Sequence, residues 1–401
     1  MKKLLIGTSA LVAAGLVAGA AHAADPIKLS LGGFAGTWVT YADNEDSYLT
    51  NAAVGEVTAV DVKGDAEVFY LGSTTLDNGL KVSFKAEMEA GGRDKTTVNT
   101  PTGTANVTGD AIDEYAISVA GAFGTVVMGA DDNALAAIAV TSPRVGGRIH
   151  GGAFSEGDAV VGNVILAPAG IVAPNATFVN TGGDSESVSY ISPSFGGFTV
   201  GATYVPSFSQ GDDTPAVPTG NNATDAYGIG AAYAGEFSGV GVKVAGGWLT
   251  ADTANAGATV NVDDWNEYQI GANLSYAGFT FGGGFRHIDV ELNTVGAAAT
   301  PGSFDQRAWD LGLSYKTGPY GVSLAYFDSK AENGNGTTDD TRKVWELNGE
   351  YSMGPGVSLV GSINHAKFEN GLTAAQRAVA GTVSANENSG WAVSSGISLS
   401  F

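Results

Sequence analysis

The C-terminal stretch Trp391-Ala392-Val393-Ser394-Ser395-Gly396-Ile397-Ser398-Leu399-Ser400-Phe401 alternates in character from end to end. A period of two puts Trp391, Val393, Ile397, Leu399 and Phe401 on one face of a strand and small or polar residues on the other. Lys81-Val82-Ser83-Phe84-Lys85-Ala86-Glu87-Met88-Glu89 follows the same grammar, as does 268–276. Pairs of such strands meet at short turns near Asn78, Ala122, Phe195, Phe237, Ala277, Gly318 and Gly354. Asp77-Asn78-Gly79 is the clearest of them, because Asn and Gly accept the positive φ of tight hairpins.

The turns recur every ~40 residues, which could suggest propeller blades. Each interval supplies two strands, however, where a blade needs four. One interval, from Ala122 to Phe195, is much longer than the rest and holds 131–185, a connection without a convincing strand of its own. A loop of that length in a compact protein is usually functional or disordered. The other longer loops fall at 42–65, 92–112, 207–224, 252–263, 291–305, 330–341 and 369–389. The pattern predicts an all-β fold, a sixteen-stranded antiparallel transmembrane β-barrel. It has short periplasmic turns, long outer loops and a long third loop, 131–185, folded into the lumen. Lipid offers no hydrogen bonds, so the first strand must pair with the last.

Composition agrees. The 401 residues carry a formal net charge of -22, with 44% hydrophobic and 15% charged residues. Such a chain is too apolar for an acidic disordered protein, and its acidity argues against a nucleic-acid partner. Cysteine is absent, which excludes disulfides, thiol catalysis and Cys-ligated zinc. Residues 1–23 read as a signal peptide: Lys2 and Lys3, an apolar run, then Ala21-His22-Ala23 as the cleavage site. The domain expected is a single barrel over 24–401. No stretch after the leader approaches the roughly 20 apolar residues of a spanning helix.

Trp38, Trp248, Trp265, Trp309, Trp345 and Trp391 all fall on the loop side of their strands, and Phe and Tyr cluster at the turns. Two aromatic bands a strand apart mark two membrane interfaces. A soluble sandwich could also hold these aromatics, but its second face usually carries more charge than the Gly, Ser, Thr and Asn found here.

The terminal alternation ending in Phe401 resembles the C-terminal signature of Gram-negative outer-membrane proteins, read by the barrel-assembly machinery. The start Ala24-Asp25-Pro26-Ile27-Lys28-Leu29-Ser30-Leu31-Gly32-Gly33-Phe34 is similar to that of alphaproteobacterial general diffusion porins. So are Leu76-Asp77-Asn78-Gly79-Leu80-Lys81 and Gly129-Ala130-Asp131-Asp132-Asn133-Ala134. The resemblance covers nearly the whole chain after the leader. It implies a homotrimer of barrels in the outer membrane, surrounded by lipid and lipopolysaccharide, passing small hydrophilic solutes. It further implies that acidic residues on the third loop face basic residues on the wall. The apolar segment 160–179 departs from that family's polar loop.

In a diffusion pore the chemistry is the placement of charge at a narrow point. The inserted loop carries Asp131, Asp132, Glu156, Asp158 and Asp184 against Arg144 and Arg148. The balance predicts cation preference, with Glu156 and Asp158 on the acidic side of the constriction. Arg144 and Arg148 either line it or brace the loop. On the wall, Lys81, Lys85, Glu87 and Glu89 share one face and are expected in the lumen, or at the rim for the two glutamates. Arg286 shares the inward parity, while Arg307 and Arg342 are expected in rim ion pairs. No nucleophile–base motif occurs, and His150, His287 and His365 share no spacing, so no enzyme is expected. No cofactor is expected either. Glu332-Asn333-Gly334-Asn335-Gly336 with Asp339 and Asp340 offers oxygen ligands for calcium but matches no known loop. The alternatives are a sugar or phosphate channel on the same barrel, or a surface adhesive β protein. A sugar channel needs an aromatic ladder, for which only Phe34 and Trp38 are candidates. A phosphate channel needs a basic ring.

Overall fold

The computed structural model describes residues 26–51, 58–90, 95–100, 103–108, 112, 114–149, 161–162, 164–168, 171–183, 185–208, 223–253, 260–294, 302–332, 339–371 and 387–401. In chain order the first strands are β1 (Lys28–Asn44), β2 (Val60–Thr75), β3 (Lys81–Glu89), β4 (Lys95–Thr100), β5 (Gly103–Thr108), β6 (Glu114–Gly121) and β7 (Gly124–Ala130). The loop that follows contains β8 (Val161–Gly162) and β9 (Ile165–Leu166). Then come β10 (Glu186–Ile191), β11 (Phe198–Ser207), β12 (Ala223–Phe237), β13 (Val240–Thr253) and β14 (Val260–Tyr276). The last are β15 (Phe279–Thr294), β16 (Gly302–Thr317), β17 (Tyr320–Glu332), β18 (Asp339–Gly354), β19 (Val357–Glu369) and β20 (Glu387–Ser400). Short helices are α1 (Asp46–Asn51) and α2 (Ala134–Ala137).

Sixteen strands close one antiparallel barrel in the order β1-β2-β3-β6-β7-β10, then β11 to β20 in sequence. The pairs β4–β5 and β8–β9 stand apart from it. Closure comes from β1 against β20, in register from Phe34↔Ser400 to Asn44↔Gly390. Beyond the last strand residue, Gly33 N donates to Phe401 O at 3.0 Å and Phe401 N to Gly33 O at 3.1 Å. The ring of Phe401 lies over Gly33 so closely that a Cβ there would sit 3.1 Å from it. The tightest hairpins have positive φ at both central residues, as at Ser238–Gly239 and Ala277–Gly278. Their twist matches that of the flanking strands.

Outward positions are apolar: Val39, Tyr41, Phe84, Ile117, Met128, Val188, Ile229, Leu324, Leu347 and Ile397 are all exposed. Inward positions are not uniformly polar. One cluster joins Trp38, Phe327, Val344 and Phe368 of the wall to Ile149, Val164 and Ile165 of the loop. A second joins Leu135 and Val179 of the loop to Val205, Leu249 and Ala251. Val164, Ile165 and Val179 of the apolar segment 160–179 therefore pack on apolar inner wall, as Leu135 and Ile149 do.

Two sequence expectations change. Strand β2 begins at Val60, inside what reads as a loop, because Asp61, Lys63, Asp65 and Glu67 are its inward-facing residues and Val60 and Val62 its outward ones. The tryptophans stand on the loop side, and Trp38, a candidate for the inward face, is 1% exposed and does face inward. Trp265 also faces inward, packed on the second cluster with its Nε1 on Glu267 at 2.8 Å. Trp248, Trp309, Trp345 and Trp391 are exposed on the outer face.

Single-tryptophan variants in brominated-lipid bilayers check this division. Fluorescence from Trp248, Trp309, Trp345 or Trp391 is expected to be quenched, and that from Trp38 or Trp265 to be spared.

Candidate functional site

The charged cluster is built where the loop leaves β7 beside the short strands β3 and β6. Period two along β3 turns Lys85, Glu87 and Glu89 inward, with Lys81 at the turn end of the same face. Across the sheet Glu87 stands directly opposite Glu114 of β6, and Glu89 opposite Glu67 of β2. Like charges placed opposite one another destabilise a sheet, and two such pairs adjoin here. What holds the first is Lys85, whose Nζ lies 2.9 Å from Glu87, 2.9 Å from Glu114 and 2.8 Å from Asp131 at the start of the loop. All four side chains keep 12–15% of their surface exposed, so the cluster reaches water. Asp132 follows, its N–H donating to Asp131 Oδ1 at 2.9 Å.

Beside this group, Arg148 of the loop lies between Asp65 and Glu67 at 3.3 and 3.4 Å, with its guanidinium 4.0 Å from the centre of the Phe34 ring. One oxygen each from Asp65, Glu67 and Glu89 lie within 4.8 Å of one another. Such oxygen-rich geometry suits a hard cation; here the guanidinium serves two of the three carboxylates. The region thus gathers Asp65, Glu67, Glu87, Glu89, Glu114 and Asp131 around Lys85 and Arg148.

The loop makes two passes over the inner wall. On the outward pass Asn133 caps α2, accepting from the N–H groups of Leu135 and Ala136 at 2.9 and 3.0 Å. Residues 134–145 then lie in a track of inward glycines: Gly201, Gly228, Gly230, Gly247, Gly271, Gly284, Gly312 and Gly321. A Cβ on Gly228 would stand 2.7 Å from Leu135 Cδ1, and one on Gly271 would overlap the carbonyl oxygen of Val140. Glycine is required because loop backbone and wall backbone approach closely. Carboxylate and amide side chains of the wall take the loop's backbone groups. Asp310 accepts from Ser142 N at 2.9 Å and Ser323 from Val145 N at 3.1 Å, and Asn273 donates to Thr141 O at 3.1 Å. Arg144 approaches the buried Glu346 at 3.6 Å.

On the return pass Asn44 binds Val164 O and Leu166 N, both at 2.9 Å. Asp340 accepts from Val172 N at 2.8 Å, and Arg342 Nε donates to Ala173 O at 2.8 Å. Gln269 holds both passes, donating to Leu135 O at 2.8 Å and accepting from Val179 N at 2.6 Å. Arg286 is 3% exposed. It binds Glu267 at 2.6 Å, Asn180 at 2.5 Å and Thr181 at 2.6 Å.

The structure brings Lys85, Glu87, Asp131 and Arg148 into one region and places Glu89 and Asp132 at its edge. Arg144 and Arg148 both brace the loop against wall carboxylates. That reverses, at these two points, the acidic-loop-on-basic-wall arrangement implied by the resemblance. Arg286 points inward but lies beneath the loop. Arg342, expected at a rim ion pair, instead holds the loop's return pass. Arg307 faces outward opposite Lys330 and makes no ion pair among the described residues. Asp340 serves the loop amides of Val172 and Gly371, and Asp339 pairs with Lys330 at 2.7 Å. Glu156, Asp158, Asp184 and 333–336 lie outside the described residues. Sequence reading missed Asp65, Glu67 and Glu114. Their signal was parity: Asp61, Lys63, Asp65 and Glu67 alternate with Val60, Val62 and Val68.

A family model described as Gram-negative porin matches residues 7–371. Similar solved structures include the anion-selective porin from Comamonas acidovorans, at TM-score 0.58 and 19% identity over 94% of this chain and 100% of that one. The outer membrane channel DcaP of Acinetobacter baumannii aligns at TM-score 0.56 and 12% identity, over 94% and 97% of the two chains. OmpT of Vibrio cholerae, described in a trimer form, aligns at TM-score 0.50 and 11% identity, over 94% and 100%. At such identities the likeness speaks for the fold alone. No curated protein matches the chain at a significant level.

Substituting Gly271 by Ala or Val is expected to lift the loop from its track, an overpacking that costs about 1–3 kcal/mol. The readout is a changed single-channel conductance in a barrel that still resists unfolding in SDS at room temperature. Gly349→Ala, where an added Cβ meets nothing within 4 Å, is expected to leave conductance unchanged.

Proposed function

Because this chain belongs to the family of Gram-negative porins, outer-membrane channels through which solutes diffuse, we propose that it forms a cation-preferring path for ions and small hydrophilic solutes. The carboxylate group around Lys85 and Arg148 is its selective point. One observation carries the preference: two directly opposed carboxylate pairs, Glu87/Glu114 and Glu67/Glu89, adjoin on the interior wall, and the cations within ion-pair distance of them among the described residues are Lys85 and Arg148. A field of one sign in a low-dielectric throat raises the local concentration of counter-ions. Selectivity does not travel with the fold. The similar Comamonas porin is named for anions, so the charges of this chain decide its own preference.

The reading needs no cofactor and no catalytic residue. Residues 1–23 serve as the export signal. We place the chain in the outer membrane as a homotrimer, in contact with lipid and lipopolysaccharide and folded by the barrel-assembly machinery through its Phe401 end. The trimer reading is supported by the trimer form of OmpT and by the low wall of β6, β7 and β10, only 8, 7 and 6 residues long, with exposed Ile117, Met128 and Val188 outside.

The test is the reversal potential of the purified protein in a neutral planar bilayer under a KCl gradient. Stepwise conductance with cation preference is expected. Glu87→Gln with Glu114→Gln is expected to move the reversal potential toward zero at similar conductance. Anion preference in the native protein would overturn the assignment of the cluster while keeping the channel. Absence of conductance would overturn the diffusion reading.

A further inference from the structure

The inner face of β1, β2 and β3 sets aromatic rings against carboxylates. Parity turns inward Phe34 on β1, Asp65, Glu67, Phe69 and Leu71 on β2, and Lys85, Glu87 and Glu89 on β3. Register then decides which of them meet. Phe34 stands directly opposite Glu67, and Glu67 opposite Glu89. One tier toward the turns, Phe69 stands opposite Glu87, and Glu87 opposite Glu114. The Cβ of each ring is thus about 5 Å from that of a carboxylate across the sheet. A tier further, Leu71 stands opposite Lys85.

Other inward rings are covered. Trp38, Phe327 and Phe368 pack with Ile149, Val164 and Ile165 of the loop, and Trp265 packs on the cluster that holds Leu135 and Val179. Phe34, Phe69 and Leu71 belong to neither cluster and stay partly exposed. Phe34 and Phe69 meet edge to face, with centroids 6.1 Å apart. Leu71 fills the space above Gly32 of β1, where a Cβ would stand 3.3 Å from its Cδ1. The three form an apolar ledge on the turn side of the charged cluster.

The wall already holds one cation in this manner. The guanidinium of Arg148 lies 4.0 Å from the centre of the Phe34 ring and within 3.3 and 3.4 Å of Asp65 and Glu67. A cation over a ring face gains from the ring, and its hydrogen bonds to carboxylates are charge-assisted. Phe69 and Glu87 repeat the same two groups one tier away. Glu87 meets Lys85 through Oε1, and a carboxylate accepts at about four sites.

We infer that Phe69 and Leu71, with Phe34 beside them, are the side chains that select among cations for those with an apolar body. The solute class is that of arylalkyl ammonium and guanidinium compounds, with the charged head on Glu87 and the hydrocarbon on the ledge. This assignment rests on the cation-preferring channel proposed above and names the solutes favoured at the same wall. Charge complementarity decides against a neutral sugar. A sugar asks for donors and acceptors beside a stacked ladder of rings, whereas here the groups directly opposite the rings are carboxylates and the two rings meet edge to face.

The test is block of the potassium current through the full-length protein in a neutral planar bilayer. The half-blocking concentrations of 2-phenylethylammonium and ethylammonium are compared. The ring-bearing cation is expected to block at about tenfold lower concentration or less. In Phe69→Ala the ratio of the two is expected to fall toward one, and in Phe69→Tyr, which keeps the ring face, to be retained. Gly349→Ala, on the outward face of β18, is expected to keep it as well. If Phe69→Ala does not fold, Phe69→Leu carries the test, with a fall of about threefold expected. A ratio near one in the native protein would overturn the inference, as would an unchanged ratio in the Phe69 variant that lacks the ring. Equal block by the neutral 2-phenylethanol would show an apolar site without a charge requirement, and equal block by maltose a sugar path; either overturns it. The reversal potential in a KCl gradient is measured on the same channels. Chloride preference would overturn the cation reading itself, whereas cation preference with a ratio near one would overturn the solute class alone.

Discussion

A sheet in lipid has no solvent to satisfy its edges, and this is the constraint on which the rest of the structure depends. Each unpaired backbone group in the hydrocarbon region costs several kcal/mol. The chain must therefore return to its own beginning after sixteen strands. The return is made by Phe401 on Gly33, two backbone bonds beyond the last strand residue and a ring laid where no side chain stands. With the edges removed, the interior is too wide for wall side chains to fill. Something else must occupy it, and the loop between β7 and β10 does.

That loop solves a problem of solvent in the opposite sense. Inside a wet barrel an apolar wall would be exposed, and a backbone crossing it would need partners. Here the two needs cancel. The apolar return pass packs on Phe327, Val344 and Phe368. The polar side chains that remain on the wall, Asp310, Gln269, Asn273 and Ser323, receive the loop's backbone groups. The inward glycines let the two backbones approach within van der Waals contact. The wall under the loop is thus a packed interface, and the partly exposed charges Lys85, Glu87 and Glu114 stand on the β3 and β6 side.

The barrel was legible because period two, tight Gly-rich turns and even spacing all report the same object. Strand count, closure and the position of the third loop followed. The site was only partly legible. Lys85, Glu87, Asp131 and Arg148 stood on obvious parity or at the loop's ends. Asp65, Glu67 and Glu114 did not, because a run of charge reads as a solvent-exposed loop unless the strand's inner face is itself wet. The same blindness hid Trp265. Its height along the barrel was visible, but a tryptophan near a loop can face either lipid or lumen, and only the register with neighbours settles which. Arg286 and Arg342 were read as charges for the pore or rim because their partners, Asn180 and Thr181 in one case and the carbonyl of Ala173 in the other, are more than a hundred residues away.

The placement of charge carries its own argument. Folding favours neutralising opposed carboxylates or replacing them, since each such pair works against the sheet. This chain keeps Glu87/Glu114 and Glu67/Glu89 and offsets them with Lys85 from the wall and Arg148 from the loop. Arg148 has a second task, because its hold on Asp65 and Glu67 fixes the far end of the loop's outward pass. The acidic wall is thus the anchor for the loop and, in the channel proposed, the surface that meets the solute. A local conflict of this kind, kept where every other part of the barrel obeys the simple rules, is where a sheet's function is to be sought.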